Sequence, residues 1–320
     1  MNQKETMTMR DALIGRVYER MRENDRIFFL SADMGAPVLD RLRADFRDRF
    51  INVGIAEQNL VNVATGLALE GYVVYGYAIA PFLMRPYEQI RVNLALSSQF
   101  RDINVNLLGV GAGVSYDVSG PTHHCFEDLS IMRTLPNMAV CAPSDWVVAD
   151  RFVDYSLAVN RPKYVRLDGK PQPRIYGEAA KIDFGRGFCE LVSGNRLCLV
   201  TTGFMTQLAI QILAELGDPS VGLIDLFLLK PFDEDGLANT IRKYRAVATL
   251  EEAFIGKGGL DSLVMGLLNG HDISIPMKNF GFRDEYVFKF GSRDFLYGQS
   301  GFDRKTLTEW IAGTKKGEGA

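Results

Sequence analysis

Apolar positions along this chain follow two periods that take turns. From 10 to 23 they recur every three to four residues, the spacing of a helix with one buried face, whereas at 27–30 they run together as in a short buried strand. The alternation continues with a strand at 51–53, a helix from 57 to about 69, a strand at 72–77, a helix at 87–96 and a strand at 104–110. A short helix after Phe126, a strand at 138–141, a helix at 145–159 and a strand at 164–167 complete this half. Strands separated by helices predict a parallel sheet covered on both faces.

Between Lys170 and Asp183 the period is lost, and Pro171, Pro173 and Gly177 punctuate a stretch that reads as a linker. The alternation resumes beyond it. Strands are predicted at 197–201, 221–228 and 246–251, with helices at 207–216, 235–244, 260–268 and 304–311. The fold class is therefore α/β, with two parallel-sheet α/β domains divided as 1–182 and 183–320.

At 320 residues the chain can build two ordinary hydrophobic cores. Its 36 basic and 39 acidic residues are interspersed and leave a net charge of -3, so no basic face predicts nucleic acid as a partner. The longest uncharged stretches, 71–84 and 103–116, contain glycines and polar breaks and fall short of the ~18 apolar residues of a membrane span. The N-terminal residues show no apolar signal-peptide core. Cys125, Cys141, Cys189 and Cys198 are far apart and form no CxxC pair, which predicts reduced thiols and a cytoplasmic protein.

Open α/β sheets bind ligands at the carboxyl ends of their strands, so the loops after strands are where chemistry is expected. Three of them hold unusual residues. In the first, Gly54 leads into a helix that begins with Glu57, an acid that would complement the helix dipole in any protein. In the second, Phe82 and Arg85 precede Tyr87-Glu88-Gln89. The third is glycine-rich, Gly111-Ala112-Gly113, yet lacks the GxGxxG spacing of a dinucleotide loop and carries His123 and His124 further on.

Gly54-Ile55-Ala56-Glu57-Gln58, followed by Ala64-Thr65-Gly66-Leu67-Ala68 and Glu70-Gly71-Tyr72, resembles the pyrimidine-binding domain of the transketolase family, which includes 1-deoxyxylulose-5-phosphate synthases. The resemblance extends in family order through Phe82 to Arg91, Gly120-Pro121-Thr122-His123 and Pro143-Ser144-Asp145. It continues with Thr201-Thr202-Gly203, Lys230-Pro231-Phe232-Asp233 and Glu251-Glu252-Ala253. It implies thiamine diphosphate as cofactor, with Glu57 bonded to N1′ of the aminopyrimidine, where a held proton favours the tautomer that activates the thiazolium. By the same likeness Phe82 stacks on the pyrimidine, Ile55 and Arg85 lie beside the cofactor, and His123 is a catalytic candidate that meets the donor sugar near the reacting carbon, with His124 as a further substrate candidate. Adjacent histidines point in different directions, so only one of them is expected to face the cofactor.

The resemblance also implies what is held elsewhere. The family's diphosphate-binding pattern, Gly-Asp-Gly followed by Asn, is not found here. Mg²⁺ and the diphosphate are thus expected on a separately encoded N-terminal transketolase subunit, in a heterotetramer with two copies of each chain. Two departures bear on the substrate: Ser119 stands where many members have an acid, and Gly169 stands where an arginine grips a phosphate. Ser119, Arg10 and Lys170 remain the substrate candidates beside the histidines, although a lysine is a point charge rather than a bidentate fork. The expected activity is two-carbon ketol transfer from a ketose to an aldehyde-type acceptor. The alternatives are the β subunit of a 2-oxo acid dehydrogenase and a non-catalytic transketolase-like binding module.

Overall fold

The computed structural model describes residues 6–316. The chain opens with β1 (Thr6–Met7) and α1 (Met9–Glu23), whose first turn is closed where the Asp11 N–H donates to the Thr8 hydroxyl at 3.0 Å. There follow β2 (Ile27–Ser31), α2 (Val38–Asp45), β3 (Phe50–Asn52), α3 (Glu57–Leu69) and β4 (Val73–Ile79). A 3₁₀ turn (Ala80–Met84) leads into α4 (Tyr87–Gln89), and β5 (Val105–Val110), α5 (Asp128–Thr134) and β6 (Ala139–Cys141) come next. The first half ends with α6 (Trp146–Ala158), β7 (Lys163–Leu167) and β8 (Gln172–Pro173).

The second half contains β9 (Phe188–Val192), β10 (Leu197–Thr201), α7 (Phe204–Leu216), β11 (Val221–Leu226), β12 (Leu228–Lys230) and α8 (Glu234–Ile241). It closes with β13 (Ala246–Phe254), α9 (Leu260–Gly270), β14 (Met277–Phe282), α10 (Arg293–Ser300) and α11 (Arg304–Gly313). Two larger sheets result, in the orders β12-β6-β7-β5-β4-β2-β3 and β14-β13-β10-β11-β9. All pairings within them are parallel except β12 with β6 and β9 with β11. The α/β class and the two mostly parallel sheets are as expected.

Several elements differ from the expectation. The single strand read at 221–228 divides at Phe227: β11 stays in the second sheet while β12 crosses to the edge of the first. The buried Phe227 carbonyl accepts the Ala142 N–H at 2.8 Å, which draws the chain across. The helix expected over 87–96 is α-helical only at its start and passes into a π-helix at Ile90–Leu96, where the hydrogen-bond ladder widens by one residue. Unforeseen were α2, β9, β14, α10 and the short pair β1–β8, whose second strand lies in the stretch read as a linker. In α2 only Leu39 and Leu42 are buried, too few apolar positions to reveal a period.

The halves share their apolar cores. Cys198, Val200, Ile224 and Val264 of the second half belong to the cluster formed by Leu60, Leu107 and Val140 of the first, and Val114 and Phe126 belong to the second half's own cluster. One buried ion pair, Arg293 with Asp168, and a hydrogen bond from Arg166 to the Glu252 carbonyl cross the same boundary. Arg293 donates to Asp168 and, at 2.9 Å, to Glu252, and Arg166 donates to Asp128 at 2.8 Å and to the Glu252 carbonyl at 2.7 Å. Each of these buried ions has an oppositely charged partner, the condition under which buried ions are tolerated.

Candidate active site

Strands β2, β3, β4, β5 and β7 run parallel, so the loops after them meet along one edge of the first sheet. Glu57 is the first residue of α3, just after β3, and is 4% exposed. Among the described residues no backbone N–H of α3 donates to it, so helix capping does not account for its burial. Instead Arg85 Nη1 donates to both carboxylate oxygens, at 3.1 and 3.2 Å. The Arg85 guanidinium lies 4.5 Å from the centroid of the Phe82 ring, a cation–π contact. Phe82 in turn meets the His123 ring edge-to-face at 5.6 Å between centroids. Four expected residues from three loops thus form one continuous chain of contacts.

The two histidines part ways. His123 turns toward Phe82, and its Nδ1 pairs with the Thr122 hydroxyl at 3.0 Å. His124 is buried against Phe126, with 5.8 Å between centroids, and lies close to the Asp117 backbone. Burial lowers its pKa below the ordinary histidine value, so the ring is held neutral. It lines a groove of about 530 Å³ with Pro81, Met84, Thr122, Tyr286 and Phe288.

The remaining substrate candidates form a separate group at the ends of β5 and β7. Arg10 donates to Asp11 at 2.8 Å and lies close enough to Tyr77 and Tyr116 for its charge to act on both hydroxyls. Lys170 forms an ion pair with Asp117, and Ser119 is exposed two residues further on. Gly169 is covered by Tyr116: a Cβ there would stand 2.9 Å from Tyr116 Cε1. Ile55 is 76% exposed at the mouth of the Glu57 loop. Sequence reasoning passed over Tyr116, whose packing on Gly111 and Gly169 becomes visible only when the two loops are brought together.

In the second half, Glu251 accepts the Leu260 and Asp261 N–H groups at 2.7 and 2.9 Å and so caps α9, while Glu252 pairs with Arg293 and Tyr297. Those acids hold the fold. Asp145 likewise caps α6, accepting the Val148 N–H at 2.9 Å, and also accepts those of Ile175 and Tyr176.

Comparison with known proteins decides the family. The profile described as "Transketolase, pyrimidine binding domain" matches residues 5–170, and "Transketolase, C-terminal domain" matches 189–306. This chain belongs to the transketolase family. Within the family it has the domain content of the C-terminal subunit of a split transketolase. It is 32% identical over 269 residues to a subunit of the apulose-4-phosphate transketolase of Actinobacillus succinogenes, covering 83% of this chain and 84% of that one. With the 6-deoxy-6-sulfo-D-fructose transketolase subunit SqwH of a Clostridium species it shares 31% identity over 302 residues, 93% of this chain and 92% of the relative. Among solved structures, a split-gene transketolase described as an inactive beta4 tetramer superposes with a TM-score of 0.84 at 30% identity, covering 95% of this chain and 96% of that one.

The candidate cluster suits the family's cofactor on physical grounds. A carboxylate this buried, which among the described residues pairs with a half-exposed arginine and caps no helix, can exchange that partner for a ring nitrogen. The adjoining Phe82 presents a flat face to a flat heteroaromatic ring.

Proposed function

We propose that this chain is the pyrimidine-binding subunit of a split transketolase that moves a two-carbon ketol unit from a ketose to an aldehyde-type acceptor. It works with a separately encoded subunit that holds the diphosphate and Mg²⁺, two copies of each, in the cytosol. The observation that carries this reading is Glu57, buried and uncapped at the strand-end edge, with Phe82 and His123 in contact sequence beside it. The relatives that are themselves single subunits of transketolases support the division of labour, and the four unpaired thiols support a reducing compartment.

Thiamine diphosphate, when bound, supplies the carbanion-stabilising chemistry needed to cleave a ketose next to its carbonyl. The residues of this chain do the rest. Glu57 accepts a hydrogen bond from the aminopyrimidine N1′ and holds a proton there, and Phe82 stacks on the ring. Arg85, released from Glu57, keeps its charge at the mouth. His123, at the end of the contact chain, exchanges a hydrogen bond with a substrate hydroxyl, which a neutral imidazole does as donor or acceptor.

Titration calorimetry with thiamine diphosphate and Mg²⁺ tests the reading on the isolated chain and on its complex with the diphosphate-binding subunit. Binding by the complex alone, together with ketol transfer by that complex, is the expected result. Micromolar or tighter binding by the isolated chain would overturn the divided site.

A further inference from the structure

The loop that carries His123 is held by the second half of the chain at its base and at Gly120. At its base, Gly113 and Cys125 exchange backbone hydrogen bonds of 3.1 and 2.9 Å, closing residues 113–125 into a ring. Arg166 of the first half donates to both the Cys125 carbonyl, at 2.8 Å, and the Glu252 carbonyl of the second, at 2.7 Å, and a Cβ on Gly113 would fall 2.4 Å from the Glu252 Cβ. Just beyond the ring, Phe126 lies 4.2 Å from Phe282, centroid to centroid, inside the second half's core. The base cannot shift without opening that core.

A second grip comes from the irregular strap 283–291 between β14 and α10, which meets the chain at Glu127, just beyond the ring, and at Gly120 within it. Val287 anchors the strap in the second half's core. On one side of it, the Tyr286 hydroxyl donates to Glu127 Oε1 at 2.9 Å, and the other oxygen of Glu127 accepts the Phe126 N–H at 2.9 Å. On the other side, the Phe290 ring lies flush on Gly120: a Cβ there would stand 2.9 Å from Phe290 Cε1. The Gly120 carbonyl accepts the N–H groups of His123 and His124 at 3.0 and 3.1 Å. Phe290 is 64% exposed, so burial gains it little, and its place on Gly120 is not explained by core packing.

We propose that the strap is a clamp of the second half on the His123 loop, with Phe290 and Tyr286 as positioning residues that hold His123 against Phe82. The inference rests on the reading that His123 meets the substrate. Its physical basis is that a reacting group must be held in place, since a displacement of about 1 Å can cost on the order of 100-fold in rate.

Hydrogen–deuterium exchange of the full chain, read at the amides of Gly120, Thr122, His123 and His124, tests the clamp without any reaction. Phe290→Ala and the nearly isosteric Tyr286→Phe should each speed that exchange several-fold, and Phe290→Leu should return most of the protection. In the complex with the diphosphate-binding subunit, Phe290→Ala should lower kcat by about ten-fold or more with little change in KM. Unchanged exchange in both variants overturns the clamp, and faster exchange with unchanged kcat overturns its role in positioning. A parent complex with no ketol transfer would instead overturn the transketolase reading, and the exchange data would still decide whether the strap holds the loop.

Discussion

Arg85 bridges both oxygens of the Glu57 carboxylate, at 3.1 and 3.2 Å, while the same guanidinium lies on the Phe82 ring. One cation therefore covers both surfaces proposed to receive the aminopyrimidine. Glu57 is buried and Arg85 is about half exposed, so the arginine compensates the acid at small desolvation cost to itself.

Arg85→Met should consequently destabilise the isolated chain. Leaving one charge of a fully buried pair unpartnered costs ~3–5 kcal/mol, and the exposure of Arg85 reduces the expected loss here to about 1–2 kcal/mol. Urea denaturation measures it. A variant as stable as the parent would mean that water or another group already satisfies Glu57.

Glu57→Gln should keep the fold, because the amide matches the carboxylate in shape and can still accept from Arg85. Ketol transfer by the complex should fall by ~10² to 10⁴, the usual contribution of a positioned proton-transfer group. Circular dichroism and a steady-state assay on the same preparation separate the two effects. Turnover within a few-fold of the parent would reduce Glu57 to a helix-start acid.

An arginine placed at 169 should not, on its own, create a bidentate phosphate grip. Tyr116 lies on Gly169, so the new Cβ at 2.9 Å from its ring has to displace it. Gly169→Arg alone should lower activity on all substrates. Gly169→Arg combined with Tyr116→Ala should raise kcat/KM for a phosphorylated ketose relative to its unphosphorylated counterpart. A single variant that already shifts that ratio would show that Tyr116 yields freely.

Asp225 sets a pH dependence of stability. Burial pushes its pKa up to about 7, against the opposing hydroxyl donors Ser144, Tyr176 and Thr206. In the unfolded chain it titrates near 4. Between those values the native state keeps a proton that the unfolded state has released, so the group's contribution, full in acid, is lost as pH rises toward 7. Asp225→Asn removes this decline. Relative to the parent, the variant should gain stability between pH 4 and pH 7.5, by at most about 4 kcal/mol, as read from urea denaturation at both pH values. An identical difference at the two pH values would place the Asp225 pKa elsewhere.

Local signals carried much of the fold into the sequence. The apolar period from 57 to 69 marks a helix with the bounds of α3, and the run at 197–201 marks β10 equally well, because a regular element repeats its burial pattern over its own length. Position at strand ends made Glu57, Phe82 and Arg85 candidates, where ligands bind in open α/β sheets, and the family resemblance of their motifs supplied the roles expected of them. The thin period of α2 and the interrupted strand at Phe227 were not legible, since the first buries too few residues and the second depends on an edge offered by another part of the chain.

Partners distant in sequence were decided by the tertiary structure alone. Spacing and residue type along the chain determined that an acid, an aromatic, an arginine and a histidine would stand on loops at one sheet edge. That Arg85 closes on Glu57, 28 residues away, depends on how the turn after β4 packs beside α3. That His123 rather than His124 faces Phe82 depends on a ring closed by Gly113 and Cys125 and on Phe126 buried in the second half. Periodicity reports how much of a side chain is buried and on which face. It carries no record of which distant group lies opposite, and in this protein that pairing, made by loops of the first half and braced at Phe126 by the second, shapes the candidate site.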